Sequence, residues 1–150
     1  MPESVITDEL ASKIGVEAPR VTIEIEKGML RRLAEAVGDP NPLWQDEAKS
    51  RKSRYGGIIA PPALFLSAQM RKPRITPVET ELTRVLDGGV EIEYYEPIRT
   101  GDVITMTSKI TDLYERDTKR GLMLFQISEV EYVNQFGEVV AKQRSTIISY

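Results

Sequence analysis

Two residue types are missing altogether: the chain contains no cysteine and no histidine. Without cysteine there are no disulfides, thiolate metal ligands or thiol nucleophiles. Without histidine no Ser-His, Cys-His or Asp-His pair can form from the chain's own residues, and zinc loses its usual ligands. Acid–base chemistry must therefore fall to carboxylates, Lys or Tyr, or to a histidine lent by another polypeptide. Neither a metal nor a cofactor is expected. Long apolar runs are also missing, since none approaches the roughly 20 residues that span a bilayer, so no membrane partner is expected. Nor is there a strong excess of one charge. The net charge is −3, whereas phosphate-binding chains present a basic face, and no nucleic-acid partner is expected. The first ten residues carry acid where an export signal has a basic region and an apolar core, so a cytoplasmic location is expected. Repeats, low-complexity stretches and Gly/Ser linkers are absent as well. With 41% hydrophobic and 29% charged residues, the reading is one globular domain over 1–150, with residues 1–18 as an N-terminal helical arm.

What is present is periodicity that changes along the chain. Thr7/Asp8 is a helix start and Gly15 a stop, which predicts a short helix over 7–14. Val21, Ile23 and Ile25 alternate with Thr22, Glu24 and Glu26, the period of a strand with one buried face. From Lys27 to Val37 the apolar residues Met29, Leu30, Leu33, Ala34 and Val37 fall on one helical stripe, with Gly38 at the stop. Residues 38–62 hold too many prolines and glycines for a long regular element, and loops of this length are usually functional or disordered. Leu43, Trp44, Tyr55, Ile58 and Ile59 argue against disorder. Ala63–Met70, entered through Pro61-Pro62, is apolar nearly all round and reads as a buried helix. Beyond a proline-punctuated connection the pattern turns to antiparallel sheet. Strands are expected around Val90–Tyr95, from Val103 to Leu113, from Arg120 to Val133 and from Val139 to Ser149. Within 120–133 the apolar parity slips near Ser128, which predicts a bulge or a doubly buried stretch.

Three segments then carry a resemblance: Gly38-Asp-Pro-Asn-Pro-Leu43, Tyr55-Gly-Gly-Ile-Ile-Ala60, and Tyr95-Glu-Pro-Ile-Arg-Thr-Gly-Asp102. With the order of elements, they resemble the MaoC-like dehydratases and (R)-specific enoyl-CoA hydratases over about Val21 to Ser149. The resemblance implies an α+β hot-dog fold, an antiparallel sheet of five or six strands wrapped around one buried helix. It also implies water addition to, or removal from, the 2,3 bond of an acyl thioester. The family reads Asp-x-Asn-Pro-(aliphatic)-His, where the Asp and His activate a water. Asp39, Asn41, Pro42 and Leu43 match, and Trp44 stands in the histidine's place. The family later reads Ile-Ala-His-Gly-Met, where the glycine N–H helps hold the thioester carbonyl. Here the sequence is Ile59-Ala-Pro-Pro-Ala63, and Pro62 has no N–H to give.

The resemblance makes Asp39 and Asn41 the candidate catalytic residues, in vestigial form, and Trp44, Tyr55, Gly57, Ile58, Ile59, Pro61 and Pro62 the candidate acyl-binding residues. Each has a plainer reading beside it. Asp39 and Asn41 are good turn formers after a helix, Trp44 makes a core or interface anchor, and the Gly56-Gly57 pair admits close backbone approach to a ligand or to the core. Lys49, Arg51, Lys52, Arg54, Arg71, Lys72 and Arg74 suit thioester-carrier phosphates or a solvated face, and Asp102 caps a turn. The expected function is a hot-dog subunit of an enoyl-thioester hydratase or dehydratase. It supplies an acyl tunnel while a related chain carries the Asp-His dyad, as in double-hot-dog hydratases where one half is silent. The alternatives are a self-sufficient homodimeric dehydratase using Asp39 and a non-enzymatic acyl-CoA-binding or scaffolding protein. The expected partners are an acyl-CoA or acyl-carrier thioester and a second hot-dog chain, in a homodimer or heterodimer joined along a sheet edge.

Overall fold

The computed structural model describes residues 3–150. The N-terminal arm holds one short helix, α1 (Asp8–Ala11), whose start is capped by the Thr7 side chain accepting from the Leu10 N–H. The arm is fastened at three places. Leu10 is buried against Val78, Leu113 and Leu124, and one Glu115 carboxylate oxygen accepts from the Val5 and Ile6 N–H groups at 2.7 and 2.9 Å. The helix ends at Ala11 rather than Ile14, and Gly15 and Ala18 instead donate their N–H groups to the Ile110 and Ser108 carbonyls of the sheet.

Strand β1 (Val21–Glu24) leads into α2 (Lys27–Val37), and a short α3 (Glu47–Arg51) lies in the irregular stretch that follows. Then come β2 (Val85–Tyr94), β3 (Val103–Thr118), β4 (Gly121–Val133) and β5 (Val139–Ser149). Together the strands form one antiparallel sheet in the order β1-β3-β4-β5-β2. The apolar stripe of α2 buries Met29, Leu30, Leu33 and Ala34, worth roughly 1.5–3 kcal/mol for each large side chain. Most of these join Ile104, Met106, Val130 and Tyr132 from the sheet in the main core. Among the described residues no helix is long and apolar enough to cross a membrane.

Two expectations change and one is resolved. Ala63–Met70 is not an α-helix but two 3-10 turns, Pro62–Leu66 and Ala68–Met70. Ser67 between them is extended (φ −76°, ψ 141°), and its hydroxyl accepts from the Gln69 N–H, a local bond that competes with helix continuation. Leu64, Phe65 and Met70 are nonetheless buried, and the Phe65 ring meets Tyr132 edge-on at 4.8 Å. The helix that covers the sheet is α2.

The parity slip near Ser128 coincides with the expected doubly buried stretch, and with a bulge in the facing strand rather than in β4 itself. The even positions Leu124, Gln126, Ser128, Val130 and Tyr132 are all buried, and Ile127 is buried on the opposite face. The irregularity lies across the ladder in β3, where pairing skips from Ile110 to Asp112 and leaves Thr111 over. β2 also starts earlier than the alternation indicated, at Val85. Its Asp87-Gly-Gly89 sequence forms a bulge, with Gly89 at φ 109° and a register shift against β5.

Candidate active site

The Asp39 loop is built by the end of α2. Gly38 takes the left-handed conformation (φ 69°), its N–H bonds to the Glu35 carbonyl, and the Asp39 N–H reaches the Ala34 carbonyl at 2.9 Å. Asp39 thus leaves the helix at a fixed angle. Asn41 repeats the device, its side-chain oxygen accepting from the Leu43 N–H at 3.0 Å to start the 3-10 turn Pro42–Trp44.

Trp44, which stands where the resembling enzymes carry a histidine, bonds to Asp39. Its indole Nε1–H donates to Asp39 Oδ2 at 2.8 Å, while Asp39 Oδ1 accepts from the Asn41 N–H at 3.0 Å. Each carboxylate oxygen therefore has a protein donor from the same loop. The Trp44 ring, 9% exposed, packs against Ala34 of α2 and Ile59, with Leu43 and Tyr55 beside it. An indole N–H can donate and cannot accept a proton. The pair orients a carboxylate but offers no second group to hand a proton back, the role a histidine beside Asp39 would have.

Residues 55–62 run alongside. The Ile59 N–H bonds to the Leu43 carbonyl at 3.1 Å and the Ala60 N–H to the Ile98 carbonyl at 2.8 Å, so this segment ties the Asp39 loop to the turn before β3. Ile59 shares the Trp44 cluster, whereas Ile58 points into the main core with Leu64 and Phe65. Gly57 is half-buried beside Gly56, which takes φ 68°. Pro61 is buried and Pro62 exposed, and the Pro62 carbonyl accepts from the Tyr94 hydroxyl at 3.3 Å. The structure thus brings Asp39, Asn41, Trp44, Tyr55 and Ile59 together and places Ile58 in a different cluster.

The neighbouring charges sort themselves. Lys49 pairs with Asp46 at 3.7 Å and Arg51 with Glu47 at 2.8 Å. Glu47 also meets Lys27 of α2, and that lysine, with Arg51 helping, holds its carboxyl below the ordinary value. Arg54 lies over the Tyr55 ring at 4.8 Å, and Arg99 donates to the Tyr55 carbonyl. Buried Asp102 accepts from the Arg99 N–H at 2.8 Å and from Gln135 Nε2 at 2.9 Å, the turn-capping role expected for it.

One polar group went unnoticed in the sequence. On the inner sheet face, Gln143 Oε1 accepts from the Tyr132 hydroxyl at 2.9 Å and from Lys72 Nζ at 3.3 Å, and Gln143 Nε2 donates to Ser145 Oγ at 3.1 Å. Burial pushes the Tyr132 phenol well above its ordinary pKa and pulls the Lys72 ammonium below its own. The available signal was Gln143 and Ser145 at alternate positions, on the same parity as buried Ala141.

A hot-dog sheet packed on a helix, with an Asp-x-Asn-Pro loop at the helix end, defines a MaoC-like protein of the hydratase/dehydratase class. The model of the FAS1-like dehydratase domain region matches residues 12–143, and the chain belongs to that family. A protein of Thermobifida fusca named only as a UPF0336 protein is 35% identical over 60% of this chain and 62% of its own length. The chain thus spans less than two thirds of the first curated relatives it matches. A probable enoyl-CoA hydratase alpha subunit of Thermomonospora curvata is 29% identical over 81% of this chain and 44% of that protein. Among solved structures, the ChsH1-ChsH2 complex of Mycobacterium tuberculosis shares the fold with a TM-score of 0.74 at 19% identity, covering 89% of this chain and 88% of the other.

Proposed function

We propose that residues 1–150 form one hot-dog unit that is the silent subunit of an acyl-thioester hydratase or dehydratase, paired with a related chain that supplies the Asp-His dyad. The observation that carries this is the Trp44–Asp39 bond. The residue in the histidine's place cannot accept a proton, and it occupies one oxygen of the carboxylate that would otherwise orient water. Pro62 removes the backbone donor expected at the thioester carbonyl. A positioned acid–base group is worth about 10²–10⁴ in rate and an oxyanion donor about 10²–10³, so the chain alone is expected to retain almost none of the activity. Two relatives support pairing: the Thermomonospora curvata protein is a probable alpha subunit, and the Mycobacterium tuberculosis structure is a complex of two chains. In this assembly Trp44, Tyr55, Gly57, Ile58, Ile59, Pro61 and Pro62 shape or support the wall of the acyl tunnel.

The edge strand β2 suits the pairing. Its face is exposed, with Val85, Leu86, Val90 and Tyr94 all in solvent, and an unpaired edge is a template for another strand. The test is to assay hydration of crotonyl-CoA and longer enoyl-CoAs by the purified chain alone and by the complex co-purified from the native host. The chain alone should fall below about 1% of the complex. Turnover by the chain alone at the level of ordinary hydratases would overturn the proposal.

A further inference from the structure

A cleft of about 470 Å³ opens between residues 72–77 and the inner face of β5 and β2, within the range of small-molecule sites. The 62–70 stretch borders it only through the exposed Leu66 of its first 3-10 turn. The other walls include Pro73, Ile75, Val90 and Ile147, apolar surface suited to a hydrocarbon. No candidate residue of the Asp39 loop lines it.

The floor is different in kind. Lys72 is half-buried and forms no ion pair among the described residues. An ammonium has three protons to donate, and Lys72 spends one on Gln143 Oε1. That oxygen also takes the Tyr132 hydroxyl, which uses both of its lone pairs. Ser145 Oγ accepts from Gln143, leaving the serine proton unspent. What this group has left to offer a ligand is donors beside a positive charge. The carboxylate in the lining, Asp87, is exposed and accepts from the Gly89 N–H at 2.8 Å, so it does not neutralise Lys72. Partial burial of an unpaired ammonium is costly, and an anion at the same place offsets that cost.

We propose that this cleft binds an aliphatic carboxylate, its head group held by Lys72 and Ser145 and its hydrocarbon lying along Ile75, Val90 and Ile147. Two sources have this chemistry: a free fatty acid, and the far end of a thioester-bound acyl chain that terminates in a carboxylate. The site goes beyond the hydratase reading: it shares β2 with the edge proposed for pairing, but binding of a free acid to the chain alone requires neither a thioester nor a partner chain.

Calorimetric titration of the full chain with octanoate and octan-1-ol tests it. Octanoate is expected to bind at least about tenfold tighter than the alcohol, the size of one charge-assisted hydrogen bond. Lys72→Met should erase that preference, and Ser145→Ala should weaken octanoate several-fold without changing octan-1-ol. Circular dichroism establishes that each variant is folded, and Ser145→Ala carries the test if Lys72→Met is not. Equal affinity for acid and alcohol, a preference that survives both substitutions, or no binding of octanoate overturns the proposal. A second arm compares octanoyl-CoA with its ω-carboxy analogue. Tighter binding of the analogue, lost in Lys72→Met, assigns the carboxylate to a thioester-bound chain; equal binding assigns the site to the free acid. Failure of the hydratase assay leaves these results standing, and the reverse holds as well.

Discussion

Replacing Trp44 with Phe removes one donor and leaves most of a buried ring in place. The lost bond is the 2.8 Å contact from Nε1–H to Asp39 Oδ2. A hydrogen bond to a charged acceptor is worth about 1.5–3 kcal/mol. Asp39 is only half-buried, so water takes up part of the loss and the pairwise contribution comes to about 1 kcal/mol. The smaller ring also leaves a gap against Ala34 and Ile59, costing about another 1 kcal/mol. At roughly 2–4 °C per kcal/mol for a chain of this size, the melting temperature should fall by about 4–8 °C. A double-mutant cycle with Asp39→Ala, read by urea unfolding, separates the bond from the packing. The expected coupling is about 1 kcal/mol. A coupling indistinguishable from zero refutes the reasoning, because Trp44 would then be held by packing alone and Asp39 would be free to orient water.

Two further outcomes follow from the geometry. A Cβ on Gly88 would lie 2.7 Å from Thr146 Cγ2 and 3.0 Å from its Cβ, so Gly88→Ala should lower the urea midpoint by the equivalent of about 1–3 kcal/mol, and Thr146→Ser should restore part of it. Lys27 and Arg51 hold the Glu47 carboxyl below its ordinary value of 4.5, so this contribution to stability is present above that value and lost as pH falls through the lower, folded one. In Lys27→Met an NMR titration should find Glu47 closer to 4.5, and an unchanged titration would show that Arg51 suffices.

The sequence made much of the sheet legible because β1 and the first half of β3 alternate cleanly, and the stripe Met29/Leu30/Leu33/Ala34 gave α2 and its glycine stop. The parity slip in β4 has a physical reason. Its inward face includes Gln126 and Ser128, and periodicity counts polar residues as outward. Gln126 is inside because it serves backbone: its Oε1 accepts from the Val78 N–H at 2.8 Å and its Nε2 donates to the Thr76 carbonyl at 2.9 Å. The 63–70 stretch looked helical because its composition is apolar all round, but composition says nothing of the bond from Ser67 to Gln69. The short α3 had its signal in Asp46, whose side chain accepts from the Lys49 N–H, though five residues are too few for a period to emerge. The Trp44 substitution was visible as a missing histidine. That the tryptophan would bond to the remaining aspartate depends on how the loop turns, and no spacing rule contains that.

The strand order also has a consequence for when each part of the sheet forms. β3, β4 and β5 are consecutive and antiparallel, so the centre of the sheet closes through two short hairpins. β2 must come from far upstream to lie on β5, its pairs running from Tyr94 with Ala141 to Val85 with Ser149. Local pairing is fast and distant pairing slow, because the intervening loop must close first. β1 reaches farther still, from Val21–Glu24 to Val103–Met106 of β3. The last strands to be fastened are thus the two at the edges of the sheet. During synthesis a neighbouring chain can compete with water for the β2 edge from the moment it is laid down, so assembly and a late step of folding can occur as a single event.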